Sequence, residues 1–151
     1  MSTLIYISSF LVLIGILVTI HEYGHFIVAR LCKVHVQTFS LGMGPVIYKR
    51  KDKQGTEFAL SALPLGGYVS MITNKLIEVE PDIKEQLTEE QLKNTFDSKP
   101  KWQRAAIMIA GPLANFFLSI LVFCFIFMNT IDPNNVAVIK NLDKSANIQS
   151  A

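Results

Sequence analysis

Two stretches of this chain run without a charged side chain for lengths that match a lipid bilayer. Residues 4–20 form the first, and its apolar character continues through one polar interruption to Ala29. Residues 105–128 form the second, 24 positions with no Asp, Glu, Lys or Arg. As helices rising 1.5 Å per residue, these blocks are about 39 Å and 36 Å long, enough to cross a hydrocarbon core with some tilt. With 50% hydrophobic and 17% charged residues and a mean hydropathy of +0.36, the chain is excluded from the disordered class. A net charge of +2 advertises no nucleic-acid partner. The expected fold is a mainly α membrane protein, with one transmembrane helix at residues 1–29, a second at 105–128, and the lipid bilayer as its first partner. A cleaved leader is not expected, because nothing before Leu4 is basic and no small-x-small site follows the apolar core.

The polar interruption is His21-Glu22-Tyr23-Gly24-His25. Ionisable groups at membrane depth are costly and mark a functional site by default. His21 and His25 are four residues apart, so they project from one helix face and can ligate one metal. Imidazole nitrogen suits Zn2+. Glu22 lies beside the pair without being forced into the coordination shell, where it can take a proton from a zinc-activated water and pass it to a leaving amine. This is the HExxH pattern of zinc peptidases.

Between the blocks, residues 30–104 hold 12 of the 14 Lys and Arg and nine of the 12 acidic residues. By the positive-inside rule this loop is cytoplasmic, and the N-terminus and C-terminal tail face the other side. Within it, residues 46–49 and 56–60 read as strands around the turn Asp52-Lys53-Gln54-Gly55, giving a β-hairpin over about residues 39–69 with Gly-rich ends. Two readings stay open for it: a surface hairpin, or an edge that receives an extended substrate by strand addition. Residues 74–100 read as an acidic linker holding one short helix, with Thr88-Glu89-Glu90-Gln91 as its capping box and Leu87 and Leu92 as its staple. Trp102 with Lys99, Lys101 and Arg104 forms an interfacial anchor before the second block. Gly111-Pro112 permits close helix contact, and Asn115 is the strongly polar side chain inside that block. Asn115 either hydrogen-bonds between helices or meets a substrate backbone near the metal. Cys32 and Cys124 form no metal or disulfide framework and read as small apolar fillers. In the tail, residues 129–151, positions 136–139 suggest one strand, the opening of a further region.

Together these residues resemble the site-2 proteases, which are zinc intramembrane metalloproteases, and in particular the bacterial branch that cleaves membrane-bound anti-sigma factors. The resemblance is carried by Thr19-Ile20-His21-Glu22-Tyr23-Gly24-His25-Phe26, by Phe39-Ser40-Leu41-Gly42-Met43-Gly44 and by Gly55-Thr56-Glu57. It continues through Pro64-Leu65-Gly66-Gly67-Tyr68-Val69, Gln103-Arg104-Ala105-Ala106 and Gly111-Pro112-Leu113-Ala114-Asn115-Phe116. It implies that His21 and His25 bind Zn2+ and that Glu22 is the catalytic base. It implies that the hairpin is a membrane-re-entrant element engaging substrate through Gly42, Gly44, Gly66 and Gly67. It makes Asn115 a residue near the active site, which favours the substrate-contact reading. The implied substrates are transmembrane segments of other membrane proteins, and the implied place is the cell inner membrane, with the tail opening a periplasmic PDZ-like region. The family's third zinc ligand is an aspartate in a Leu-Asp-Gly motif on a later helix, and this chain has no such motif. The sequence is therefore expected to be the N-terminal part of the enzyme, with the third ligand on a separate C-terminal polypeptide or on missing sequence. The alternative is a catalytically inactive, truncated pseudoprotease that binds membrane segments. His35, just past the first block, is expected to be an ordinary loop histidine.

Overall fold

The computed structural model describes residues 2–130; the expected strand and PDZ-like region of the tail lie outside them. The elements follow the order α1 (Ser2–Leu31), β1 (Val36–Lys51), β2 (Glu57–Met71), α2 (Asn74–Val79), α3 (Pro81–Gln86), α4 (Glu89–Lys93) and α5 (Lys101–Thr130). Residues 2–115 belong to one compact unit; from Phe116 a second begins, whose described residues, 116–130, are the last part of α5. Helices Thr3–Leu31 and Lys101–Thr130 are both long and apolar enough to cross a membrane. A helix is the form such a segment takes in lipid, because it satisfies its backbone donors and acceptors internally.

The hairpin is larger than the short strands expected. β1 has 16 residues and β2 has 15; residues 36–41 pair antiparallel with 67–71 and residues 48–51 antiparallel with 57–60, while 38–41 run alongside 57–60 in parallel register. The glycines expected to be flexible ends lie inside the strands as bends: Gly42, Gly44 and Gly66 have φ of 85°, 88° and 90°. That left-handed region is open to glycine and costly for other residues. At Gly42 a Cβ would also stand 2.5 Å from the Leu63 carbonyl oxygen. The bends lay each long strand back along itself. Thr38 faces Ser70 on one side and Glu57 on the other, and Leu41 faces Gly67 and Leu60 in the same way. Residues 57–60 in turn face residues 48–51. Four segments therefore lie side by side, and among the described residues the segment 67–71 has a strand partner on one side only.

The core joins the inner end of α1 to this sheet. Phe26, Ala29, Val34, Val36, Phe39 and Ile107 are buried together. The rings of Phe26, Phe39 and Phe58 meet with centroids 5.2–5.6 Å apart, and removing such a ring costs about 3–5 kcal/mol. A polar clasp closes the base. Arg30 lies over the Phe26 ring at 4.6 Å, pairs with Asp52 and donates to Thr56 Oγ1 at 2.9 Å. Asp52 also accepts from the Gln54 and Thr56 backbone N–H groups, each at 2.9 Å.

Residues 74–100 correct the expectation of a linker with one helix. The Thr88–Gln91 capping box forms, but two further helices precede it. Thr73 caps α2 by accepting from the Leu76 N–H, and Pro81 opens α3, where its missing N–H costs nothing. Backbone bonds from His35 N–H to Asn94 O and from Phe96 N–H to Ile72 O tie the segment to the ends of α1 and β2.

Candidate metal centre

His21 and His25 lie on the last two turns but one of α1, and the 3.6-residue repeat brings their rings to 4.8 Å between centroids. Their Nε2 atoms face each other at 3.2 Å. Two nitrogens bound to one tetrahedral zinc at 2.0–2.1 Å would be about 3.3 Å apart. The convergence point lies against α5 at Gly111. A Cβ at Gly111 would stand 2.7 Å from His21 Nε2 and collide with His25 Nε2. Glycine at this position therefore keeps open the space into which both imidazoles aim.

The far side of each ring is also met by α5. His25 Nδ1 donates to the Ile107 carbonyl oxygen at 2.7 Å. Since a carbonyl can only accept, this bond puts the ring proton on Nδ1 and turns the Nε2 lone pair toward His21. Asn115 brings its side-chain amide to 3.5 Å from His21 Nδ1. Ile107, Gly111 and Asn115 are spaced four and four, a single stripe along α5. The two helices approach closely at Gly24, where a Cβ would be 2.5 Å from the Ala110 carbonyl oxygen and 2.8 Å from Ala114 Cβ.

Glu22 and His25 line a cavity of about 580 Å³, with Tyr68, Met71, Phe96 and Ile107 among its other walls. The single-partnered sheet segment forms one side of it, since Tyr68, Val69, Ser70 and Met71 all reach the cavity. Gly67 lies over Glu22: a Cβ there would be 3.4 Å from Glu22 Cγ and 2.8 Å from the Ser40 carbonyl oxygen. A second, mainly apolar groove of about 690 Å³ runs between α1 and the sheet, lined by Ile16, Thr19, Leu41, Gly42, Leu60 and Gly66, among others.

The residues singled out from the sequence are thus only partly gathered. His21, His25 and Asn115 form one constellation, Glu22 and Gly67 touch it from the sheet side, and Gly42 and Gly66 line the apolar groove. Gly44 is exposed and packs near Leu63. His35 belongs elsewhere: its backbone bonds Asn94 and Ile72, and burial, reinforced by the Arg30 charge, lowers its pKa despite the opposing pull of Asp52. Among the described residues no group of three or more His, Cys, Asp or Glu is placed to share a metal. The pair fits two corners of a zinc site. Ile107 and the steric role of Gly111 went unread in the sequence; a backbone acceptor has no residue signature, while the Gly111 spacing from Asn115 was visible.

The sequence profile described as Peptidase family M50 matches residues 9–150. The chain belongs to peptidase family M50. Among the M50 relatives, Protease RseP of Yersinia pestis is 38% identical over 99% of this chain and 34% of its own length. The regulator of sigma E protease of Haemophilus influenzae is 41% identical over 98% of this chain and 34% of its own. The regulator of sigma-E protease RseP of Escherichia coli is 42% identical over 81% and 25%. Other relatives carry the words zinc metalloprotease in their names. This chain spans about a third of the length of the first two relatives. Zinc is the cofactor of the M50 family to which these residues belong.

Proposed function

We propose that this chain carries the metal-binding and proton-transferring part of a zinc-dependent intramembrane endopeptidase. The observation that carries the reading is the convergence of His21 and His25 Nε2, 3.2 Å apart, in the space kept open by Gly111. His21 and His25 are two of the ligands. The third comes from outside the described residues, on the same polypeptide or a separate one.

Zinc held there supplies a Lewis acid that acidifies water and polarises a peptide carbonyl. Glu22 takes the proton from the attacking water and returns it to the leaving nitrogen. The scissile segment is a transmembrane stretch of another membrane protein, delivered extended, because helical hydrogen bonds would bury its carbonyl. The segment 67–71 can accept it by strand addition, and its cavity-facing residues Tyr68 to Met71 set that strand beside Glu22 and His25. Gly67 keeps the approach to Glu22 clear. Gly42 and Gly66 give the bent sheet its wall on the apolar groove, and Gly44 bends the tip.

The sheet is membrane-re-entrant in this reading. Met43, Val46, Ile47, Leu60, Leu63 and Leu65 are exposed, and lipid is the solvent such a surface suits. The bias of 12 of 14 cationic residues into residues 30–104 supports a cytoplasmic position for that segment and a periplasmic one for the N-terminus. The site is an inner-membrane one, and the relatives' names support a role in regulated proteolysis.

The test pairs zinc content with cleavage of a transmembrane reporter reconstituted in liposomes with the protein and whatever polypeptide completes the site. Wild type should hold about one zinc per chain and cleave the reporter. Glu22→Gln should keep the zinc and lose about 10²- to 10⁴-fold in rate. Zinc without cleavage would favour a non-catalytic membrane-segment binder. Cleavage retained in Glu22→Gln would remove Glu22 from the mechanism.

A further inference from the structure

The polar stripe of α5 does more than pack against the two histidines. The hydrogen-bond directions along it form one ordered chain. His25 Nδ1–H donates to Ile107 O at 2.7 Å, so His25 Nε2 is an acceptor. It lies 3.2 Å from His21 Nε2, which is the donor whenever the two nitrogens are hydrogen-bonded rather than bridged by a metal. A neutral His21 protonated on Nε2 has an accepting Nδ1, and the Asn115 amide nitrogen faces that atom at 3.5 Å. Every ring nitrogen thus has a role, and the roles of the two His21 nitrogens follow from which end of the Asn115 amide is turned inward.

Resting on the metal-site reading above, we propose that Asn115 is a positioning residue that selects the tautomer of His21 by a half-turn of its amide. With Nδ2 inward, His21 carries its proton on Nε2, donates to His25 and is closed to a metal. With Oδ1 inward, Asn115 accepts from Nδ1–H, and the His21 Nε2 lone pair opens beside that of His25. One proton changes ring nitrogen and none is gained or lost. The half-turn is cheap because the two ends of a carboxamide are nearly isosteric and present opposite hydrogen-bonding character. His25 needs no such selector, since the Ile107 carbonyl can only accept. His21 alone is set by a group with two faces.

Two near-isosteric variants of the full chain separate this role from packing. Asn115→Asp can only accept while ionised, so it fixes the metal-ready tautomer; Asn115→Leu fills the space and offers nothing. In zinc titrations against a chromophoric chelator in detergent, Asn115→Asp should match or exceed wild-type affinity. Asn115→Leu should weaken it about 10- to 100-fold, the usual cost of losing a hydrogen-bond partner of a metal-ligating histidine. A packing role predicts the reverse order, and Leu binding as tightly as wild type, or Asp weakening tenfold or more, overturns the proposal. Side-chain ¹⁵N spectra of His21 recorded without zinc give a second readout: Nε2–H in wild type, Nδ1–H in Asn115→Asp. The same tautomer in both overturns the proposal even if Asn115→Leu fails to fold. Wild type that binds no zinc, with the tautomers shifting as stated, would refute the metal reading and leave the selector standing.

Discussion

Gly111→Ala is the perturbation for which the structure fixes both sign and size. Glycine inside a helix is about 1 kcal/mol less favourable than alanine, so a substitution judged on α5 alone should stabilise the protein. The structure sets a collision against that gain. The new methyl carbon would stand 2.7 Å from His21 Nε2 and 2.7 Å from His25 Cε1, and closer still to His25 Nε2. α5 is held by its packing at Ala110 and Gly24, so the imidazoles must turn away. Turning His25 breaks its 2.7 Å bond to Ile107 O, a loss of about 1 kcal/mol. Gain and loss nearly cancel in stability. They do not cancel in metal binding, because both ligand nitrogens leave the convergence point. Displacing a single ligand's supporting bond lowers affinity about 10- to 100-fold, so disturbing both rings should cost about 100-fold or more. Competition titration with a zinc chelator, beside thermal unfolding in the same detergent, measures the two quantities. The expected result is a zinc affinity lower by about two decades with a melting temperature within a few degrees of wild type. Unchanged zinc affinity would refute the placement of the metal against Gly111.

Gly24→Ala should destabilise despite the same helix-propensity gain, since its Cβ meets the backbone carbonyl of Ala110 at 2.5 Å and Ala114 Cβ at 2.8 Å; overpacking of this kind costs about 1–3 kcal/mol, readable as a lower melting temperature. Acid should loosen the base of the sheet. Burial pushes the Asp52 carboxyl up, but Arg30 and the Thr56 and Gln54 N–H groups outweigh it and hold its pKa below the ordinary value; its contribution is present above the unfolded-state pKa and is lost as pH falls through the folded one. Burial and Arg30 lower His35 as well, so stability declines as pH falls from its ordinary value of 6.5 towards its lowered one. Asp52→Asn should flatten the lower part of this decline in a pH series of thermal unfolding, and an unaltered profile would remove the clasp from the account.

The two membrane-length helices and the His21–His25 face were legible because each depends on one periodicity within one element. The hairpin was legible only at its turn. Its Gly-rich flanks, Gly42, Gly44 and Gly66, look flexible in sequence because glycine marks loops. In the structure their positive φ values fold two strands into four side-by-side segments, an outcome that needs the partner strand to be known. The segment 74–100 hid its first two helices because they are six residues each, too short for an apolar period to show, although the caps at Thr73 and Pro81 were in view. The support given by α5 was hardest to read. Gly111 looked like a helix-contact residue, yet its consequence is the room left for two rings from α1. The Ile107 contribution is a carbonyl, common to every residue type.

The central claim is that His21 and His25 bind one zinc through their Nε2 atoms. X-ray absorption at the zinc edge on the zinc-loaded protein tests it directly, comparing wild type with His21→Ala and His25→Ala. The account predicts two imidazole nitrogens at 2.0–2.1 Å in wild type and the loss of one of them, with weakened binding, in each variant. A zinc shell without imidazole, or one that both substitutions leave unchanged, would contradict it.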